Sequence, residues 1–292
     1  MRIGLIDIEP KITNTAYMQI ARSYLNAGIF VEWAAPLDYD NYDRLYCSSL
    51  FTFTDKSQVP SRAICGGTGF DIKKKLEISS AKSQLDYEIY PKCKTSYLWF
   101  SRGCIRNCPF CVVRQKEGKI RPVNHKNVNP NGKTVTVMDN NFFANPKWYS
   151  AISFLRNNGQ PVDFQGIDVR SINNEQCESL ATLRHHKQIK IAWDRPIDER
   201  SVLSGIARLT KHIKPYRLMC YVLIGHSSTE AEDLYRAETL RKLKIDPFVM
   251  PYNKKDPYQK KFARWVNHKA VFYSVRWEDY KEQNIGQGAL FG

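Results

Sequence analysis

Ser101-Arg-Gly-Cys-Ile-Arg-Asn-Cys-Pro-Phe-Cys111 directly follows a predicted strand and places Cys104, Cys108 and Cys111 within eight residues. Three thiolates with this C-x3-C-x2-C spacing can bind three corners of one four-iron, four-sulfur (4Fe-4S) cube. The remaining iron then has no protein ligand, and it can chelate another molecule through an amine and a carboxylate. The spacing therefore predicts a 4Fe-4S cluster with one open iron.

Two other interpretations of these cysteines stay open. A structural zinc ion needs a fourth ligand to complete its tetrahedron. Cys93 and His125 are the nearest candidates for that ligand, but neither has the paired C-x2-C spacing of zinc ribbons and fingers. The three cysteines could instead be buried thiols that bind no metal, as free cysteines often are.

Strands and helices alternate on the carboxyl side of the cysteine motif. Predicted strands end near Phe100, Met138, Gly166, Trp193, Ile224 and Pro251, and helical patterns cover 148–156, 175–183, 199–209, 230–243 and 259–266. Six such repeats exceed one half of a doubly wound sheet and favour a curved, partly closed barrel. The reactive face of such a barrel is expected at the carboxyl ends of its strands.

The amino-terminal part of the chain predicts a smaller α/β domain. Strands are predicted at 2–6, 29–33, 45–48 and 62–65, with a helix at 14–27 after the first of them. This alternation favours a parallel sheet. The last of these strands runs into Gly66-Gly67-Thr68-Gly69-Phe70, which is either a tight turn or a place where a phosphate or cofactor approaches the backbone. The predicted domains are 1–90, 91–275 and a C-terminal tail at 276–292.

The motif C-x3-C-x-aromatic-C, with Phe110 as the aromatic residue, resembles the hallmark of the radical S-adenosylmethionine (radical SAM) superfamily. The resemblance implies a partial (β/α)6 barrel and SAM bound to the open iron. It also implies a reductant such as flavodoxin or ferredoxin, whose electron breaks SAM into methionine and a 5′-deoxyadenosyl radical. That radical takes a hydrogen atom from the substrate, while the protein supplies binding, orientation and exclusion of water.

Residues 1–90 resemble the Rossmann-like domain that precedes the barrel in cobalamin-dependent radical SAM enzymes and in methylthiotransferases. No histidine occurs before His125, so cobalamin with a histidine ligand from this domain is not expected. Methylthiotransferases bind a second cluster through three amino-terminal cysteines. Here Cys47, Cys65 and Cys93 are spread over strand and linker positions, so they are expected to be buried thiols.

The resemblance also implies SAM-binding residues close to the cysteine motif. Phe110 would pack near the adenine, and a core position is the alternative. Asp139, Asn140 and Asn141 follow a predicted strand, where the family often places acceptors for the SAM amine. An Asx turn or the start of a helix would explain these three residues equally well.

Further SAM-binding candidates lie at the ends of the later strands. Arg170 would bind the SAM carboxylate and Asp168 the ribose hydroxyls, or the two residues form an ion pair of structural importance. Gln165 precedes them at the end of the same predicted strand. The remaining candidates, each of which could also be barrel core, are Asp194, Gly225, Met250 and Tyr252.

The net charge of +15 predicts a partner that carries many negative charges. Basic residues concentrate at 73–75, 116–126, 184–190 and 254–261. A basic surface that serves solubility alone is the other explanation. Because no apolar run approaches the roughly 20 residues that span a bilayer, a cytoplasmic protein without a membrane partner is expected.

Three functions remain compatible with these features. The first is a radical SAM enzyme acting on nucleic acid or a nucleotide-bearing substrate. The second is a radical SAM enzyme acting on a peptide or a small metabolite, with an incidental basic surface. The third is a nucleic-acid-binding protein whose iron–sulfur cluster is structural or redox-sensing and not catalytic.

Overall fold

The structure of the chain, a computed structural model, describes residues 1–76, 84–125 and 127–280. The chain divides into two compact units, Met1–Asn140 and Asn141–Gly292. The mixed α/β class predicted from the alternating strands and helices is confirmed. The partial barrel and the domain boundaries at 1–90 and 91–275 stay predictions.

The first unit contains nine strands and α-helices within the described residues. They are β1 (Ile3–Ile6), α1 (Thr15–Leu25), β2 (Val31–Trp33), β3 (Arg44–Ser48), β4 (Ile64–Gly66), β5 (Thr95–Arg102), α2 (Val113–Glu117), β6 (Arg121–His125) and β7 (Thr134–Val137). Strands β1 to β4 form the parallel sheet that the sequence predicts, and their order in it is β2-β1-β3-β4. Their carboxyl ends therefore lie at one edge of this sheet.

Strand β1 is central in this sheet, and all four of its residues are buried. Ile3 and Leu5 pack with Tyr17 and Ile20 of α1, so the sheet and the helix share one apolar core. Helix α1 begins after Asn14, whose side chain accepts a hydrogen bond from the backbone N–H of Ala16 at 3.0 Å. Such a cap satisfies one of the N–H groups that a helix leaves unpaired at its start.

Strand β5 carries the cysteine loop at its carboxyl end. It pairs antiparallel with β6 and parallel with β7. Just beyond β7 lies the buried Asp139, whose carboxylate accepts hydrogen bonds from the N–H of Phe100 at 2.8 Å and from the hydroxyl of Ser101. The ends of β5 and β7 are thereby joined, so the chain leaves β5 from a fixed position.

The second unit contains ten strands and α-helices within the described residues. They are α3 (Trp148–Asn158), β8 (Val162–Phe164), α4 (Asn174–Ala181), β9 (Ile189–Ala192), α5 (Glu199–Leu209), β10 (Leu218–Ile224), α6 (Glu230–Lys242), β11 (Asp246–Pro251), α7 (Pro257–Asn267) and α8 (Lys269–Ser274). Strands β9, β10 and β11 form a parallel sheet with β10 in the centre. Their carboxyl ends share one edge.

A buried arginine fastens helix α6 to that edge. Arg236 is fully buried and donates hydrogen bonds to the carbonyl oxygens of Trp193 at 2.8 Å and Leu223 at 3.0 Å. It also forms an ion pair with the buried carboxylate of Asp233, at 2.6 Å. Because its hydrogen bonds reach the ends of β9 and β10 as well as α6, this guanidinium connects three elements of the second unit.

The observed elements agree closely with the sequence predictions. Strands β10 and β11 end at the predicted residues, Ile224 and Pro251. Strands β5, β7, β8 and β9 end within two residues of the predicted positions, and the five helical patterns correspond to α3 to α7. The sequence does not predict β6, which contains Pro122, the five-residue α2 or the short α8.

Some sequence predictions fall partly outside the described residues. These include residues 281–292 of the predicted tail, Lys126 of the basic run at 116–126, and residues 77–83 of the predicted domain 1–90. Within the described ranges, every helix lacks the combination of length and apolar character that a bilayer crossing requires.

Replacing Arg236 by Met is expected to lower the free energy of unfolding by about 3–5 kcal/mol, because the buried Asp233 carboxylate would lose its counter-charge. Urea unfolding measures this change. The matched control is Arg200→Met on the exposed face of α5, which should change stability by less than about 0.5 kcal/mol. Equal effects of the two substitutions would contradict the assigned role of Arg236.

Replacing Asp139 by Asn tests the ionisation of this buried carboxyl. Burial raises the pKa of Asp139 to about 6 from its ordinary value of 3.8, although hydrogen bonds from Ser101 and Phe100 act in the opposite direction. The native protein should therefore lose stability relative to Asp139→Asn as the pH rises from about 4 to about 6. Urea unfolding at several pH values measures the difference, and a difference independent of pH would contradict this expectation.

Candidate functional site

The cysteine loop lies between the end of β5 and the start of α2. The side chains of Cys104 and Cys108 are half-buried and that of Cys111 is exposed. Gly103 starts the loop with φ of +83°, and a Cβ there would lie 2.4 Å from the carbonyl oxygen of Lys119. Only glycine fits this close approach at a positive φ, so the chain turns sharply just before the first cysteine.

Backbone and side-chain hydrogen bonds hold the cysteine loop in place. The N–H of Cys104 donates to the carbonyl oxygen of Gly118 at 3.3 Å, and Arg114 donates to the carbonyl oxygen of Cys104 at 3.2 Å. The N–H of Arg106 donates to the sulfur of Cys104 at 3.3 Å. Hydrogen bonds to the sulfurs are also among the features that tune a bound iron–sulfur cluster.

The carboxylate of Glu117, at the end of α2, joins three segments of the first unit. It forms an ion pair with Arg102 at 2.9 Å and accepts hydrogen bonds from the N–H of Gly103 at 2.9 Å and the side-chain amide of Asn140 at 2.8 Å. Arg102 and Gly103 precede the cysteines, Glu117 follows them, and Asn140 lies beyond β7. Both ends of the cysteine loop are therefore attached to one carboxylate.

Our sequence analysis does not single out Glu117, although a signal is present. Glu117 is the only acidic residue between Arg102 and Asp139, in a stretch that contains many lysines and arginines. A lone carboxylate among cations is a natural partner for several donors at once. Which donors it takes depends on how β5, α2 and β7 meet, and that follows from the fold.

The donor set of the loop fits an iron–sulfur cluster in its chemistry. Three cysteines that form no disulfide lie on one short segment, and a backbone N–H is directed at the sulfur of one of them. Within the described residues, no group of three or more His, Cys, Asp or Glu side chains converges as a single metal ion would require. In a cube each thiolate binds a different iron, so its ligands need not converge on one point. The cluster stays a prediction.

The structure gives the predicted SAM ligands Asp139 and Asn140 partners within the protein. Both oxygens of Asp139 accept hydrogen bonds from β5, and the side chain of Asn140 donates to Glu117. These residues hold the base of the cysteine loop. Phe110 is half-buried and lies between Cys108 and Cys111 in the sequence of the loop.

In the second unit, Arg170 belongs to a network of carboxylates and arginines. It donates to Asp168 at 2.7 and 3.2 Å and to Asp198 at 2.9 Å, and Asp198 also pairs with Arg195 at 2.8 Å. Burial disfavours the charge of Arg170, but its hydrogen bonds to the carboxylates of Asp168 and Asp198, together with their negative charges, outweigh the burial and raise the pKa of this guanidinium. The donors that were predicted to meet a SAM carboxylate are therefore engaged by Asp168 and Asp198.

Asn141 and Gln165 also lie near carboxylates of the second unit. The side-chain amide of Asn141 lies 3.5 Å from Asp168, and that of Gln165 donates to Asp163 at 3.1 Å. Our sequence analysis does not single out Asp198. Its signal would be the acidic cluster around residue 198, which is also typical of a helix start.

Asp194 differs from the other predicted residues because part of its carboxyl is unsatisfied. Within the described residues, its Oδ1 atom is buried and accepts no hydrogen bond. Burial raises the pKa of Asp194 to about 6, although the charges of Arg170 and Arg236 lower it. A buried carboxyl with one oxygen left over can accept a donor from a ligand.

The structure brings Gly225, Met250 and Tyr252 together at the edge where β10 and β11 end. Met250 lies opposite Leu223 in the register of the two strands, and the N–H of Tyr252 donates to the carbonyl oxygen of Ile224 at 3.1 Å. The ring of Tyr252 is more than half exposed and packs at 4.8 Å from the ring of His226. This edge presents an aromatic pair, which suits contact with a planar ligand.

Comparison with known proteins does not indicate a function for this chain. No protein-family model matches the chain, and no curated protein shows significant similarity to it. The spacing of Cys104, Cys108 and Cys111 and the hydrogen bonds that hold their loop are therefore the observations from which a function has to be argued.

Proposed function

We propose that this protein is a radical SAM enzyme in which Cys104, Cys108 and Cys111 bind a 4Fe-4S cluster. The observation that carries this proposal is the C-x3-C-x2-C loop at the carboxyl end of β5, held at both ends by Glu117. We propose the finer fold together with the function. It is a partial (β/α)6 barrel, supported by the alternation of strands and helices along the chain from β5 to α7.

When bound, the cluster would supply one electron to SAM, breaking a sulfur–carbon bond to give methionine and a 5′-deoxyadenosyl radical. The chain's own residues position the groups and exclude water. The three thiolates would bind three irons, and the N–H of Arg106 would stabilise the charge on the sulfur of Cys104. Ile105 and Val112, both about half exposed, would shield the cluster with apolar surface.

The cationic surroundings of the loop also suit a cluster. Three thiolates bring negative charge, and Arg102, Arg106, Arg114 and Lys116 lie within the same short stretch of chain. Nearby cations lower the cost of that charge. We further propose a cytoplasmic location, because the eight cysteines, all within the described residues, form no disulfide, and a reducing compartment preserves both thiols and reduced clusters.

For the substrate, we propose a nucleic acid or a nucleotide-bearing molecule, supported by the net charge of +15. A reductant such as flavodoxin or ferredoxin would deliver the electron. The second candidate is a radical SAM enzyme for a peptide or a small metabolite. The third candidate, a cluster that is structural or redox-sensing, predicts a bound cluster without SAM cleavage.

Replacing Cys104, Cys108 or Cys111 by Ala is expected to abolish cluster binding, because each substitution leaves one iron without its thiolate. The protein is reconstituted with iron and sulfide without oxygen, then reduced with dithionite in the presence of SAM. Visible absorbance and iron content measure the cluster, and mass spectrometry measures 5′-deoxyadenosine. The three variants should lose both signals. Addition of RNA should stimulate the wild type if the substrate carries nucleotides.

Cys93→Ala is the matched control for these substitutions, since Cys93 is half-buried and donates to the carbonyl oxygen of Thr95 at 3.4 Å. It should keep both the cluster and SAM cleavage. A Cys104, Cys108 or Cys111 variant with a full cluster would remove the proposed ligand set. Zinc in the purified protein, lost in Cys93→Ala, would instead support the structural zinc site.

Glu117→Gln is expected to reduce the iron bound after reconstitution while leaving the three thiols in place. The neutral amide cannot pair with Arg102, and one of its two polar atoms no longer accepts hydrogen bonds. Loss of a partly buried charge-assisted contact should also lower the free energy of unfolding by about 1–3 kcal/mol. Glu88→Gln, at an exposed position, is the control. Equal iron contents in the two variants would contradict the role assigned to Glu117.

A further inference from the structure

Lys116 is a half-buried cation that has no counter-charge of its own. Its ammonium group donates a hydrogen bond to the hydroxyl oxygen of Thr68. Among the described residues it forms no ion pair, and the neighbouring Glu117 directs its carboxylate at Arg102, Gly103 and Asn140. An ammonium group has three N–H donors, so the hydrogen bond to Thr68 leaves two for another acceptor.

A cation in this position costs stability unless something compensates it. Burial lowers the pKa of Lys116, and the charge of Arg102 acts in the same direction, whereas Glu117 raises it. An anion placed beside the ammonium group would remove this unfavourable balance. The charge of Lys116 is therefore expected to be more favourable when an anionic ligand is bound than when the site is empty.

The loop that carries Thr68 is rigid. Gly67 has φ of +87°, and a Cβ there would lie 2.3 Å from the carbonyl oxygen of Ser49. The N–H of Gly69 donates to that same oxygen at 2.8 Å, and the hydroxyl of Ser49 donates to the buried carboxylate of Glu9 at 2.8 Å. The loop is thereby fixed to the carboxyl edge of the amino-terminal sheet, and Thr68 is held in position.

The same loop offers additional hydrogen-bond donors. The hydroxyl of Thr68 accepts from Lys116, and its own hydrogen remains available. Within the part of the chain that the structure describes, the backbone N–H groups of Gly67 and Thr68 donate no hydrogen bond. Backbone N–H groups in a glycine-rich turn, together with a lysine, are donors that suit the oxygens of a phosphate group.

We propose that Lys116, Thr68 and the N–H of Gly67 bind a phosphate group of the substrate. The role of that molecule as substrate rests on the proposed function, whereas phosphate binding itself does not. Lys116 lies on α2, the helix that follows the cysteine loop, so the phosphate would be held by the same short segment that carries the cysteines. The phosphate could belong to a free nucleotide or to a nucleic acid backbone, since both present the same oxygens.

The test compares uridine 5′-monophosphate, uridine and a single-stranded oligouridylate in calorimetric titrations of the full chain. Uridine compounds avoid any contribution from residues that recognise the adenine of SAM. Lys116→Met should weaken binding of the monophosphate by about 10-fold or more and leave uridine binding unchanged, because a charge-assisted contact is lost. Thr68→Val should weaken monophosphate binding in the same direction, and Thr68→Ser should retain it.

Lys119→Met is the matched control, because it removes the same charge from an exposed position three residues along the chain. It should change monophosphate affinity by less than about 2-fold. Equal losses in the two lysine variants, or equal affinity of the wild type for uridine and its monophosphate, would overturn the proposal. A larger loss for the oligouridylate than for the monophosphate would support it with the nucleic acid backbone as the source of the phosphate.

The cluster gives a readout that separates this proposal from the proposed function. Lys116→Met should keep the visible absorbance of the reconstituted cluster, because the ammonium group of Lys116 donates to Thr68, whereas Arg106 and Arg114 make the hydrogen bonds to Cys104. A wild type that binds phosphate but no cluster would overturn the enzyme assignment and leave the phosphate site. A wild type that binds a cluster but shows no preference for the monophosphate over uridine would overturn the phosphate site and leave the enzyme assignment.

Discussion

The ion pair between Glu117 and Arg102 is the constraint on which the candidate site depends. The cysteine loop has no regular secondary structure between Gly103 and the start of α2, so its shape must come from contacts at its two ends. One carboxylate makes those contacts, with a guanidinium and a backbone N–H before the cysteines and an amide from beyond β7. The three thiols are consequently carried on a closed loop, which limits how far they can separate.

How far the sequence predicts this structure differs between strands and loops. Strand β10, Leu218–Ile224, is recognisable because a run of apolar residues is bounded by polar turns, and its end is predicted correctly at Ile224. Strand β6, Arg121–His125, has no such pattern and contains a proline, so its pairing with β5 appears only in three dimensions. A periodic pattern of hydrophobic residues marks strands whose side chains are buried. A short edge strand buries few side chains, so its sequence lacks this pattern.

For the site residues, the sequence predicts local spacing but not the partners that come from distant parts of the chain. The spacing of Cys104, Cys108 and Cys111 is local, and the sequence alone predicts a shared loop. The partners of Asp139 and Glu117 are not local, because the parallel register of β5 and β7 brings Asp139 beside Phe100 and Ser101. A carboxylate after a strand therefore predicts a polar position at a sheet edge, but the sequence does not tell whether a ligand or a neighbouring strand takes its oxygens.

In the second unit, hydrogen-bond satisfaction separates residues that the sequence treats alike. Arg170 has its donors engaged by Asp168 and Asp198, so a ligand carboxylate would have to compete with two protein carboxylates for the same guanidinium. Asp194 has a buried oxygen that accepts nothing within the described residues. Because a buried group without a partner gains most from a ligand, Asp194 is the stronger candidate for ligand binding in this unit.

In the first unit, the neighbouring residues Lys116 and Glu117 also differ in how their charges are satisfied. Consecutive residues on a helix point about 100° apart, so α2 can direct Glu117 toward the base of the cysteine loop and Lys116 toward Thr68. Glu117 pairs with Arg102 and thereby fixes the loop, whereas the ammonium group of Lys116 donates to the neutral hydroxyl of Thr68 and forms no ion pair among the described residues. One short helix thus combines a structural contact with the proposed phosphate contact, and the hydrogen bonds of the Glu117 carboxylate are directed at the first of the two.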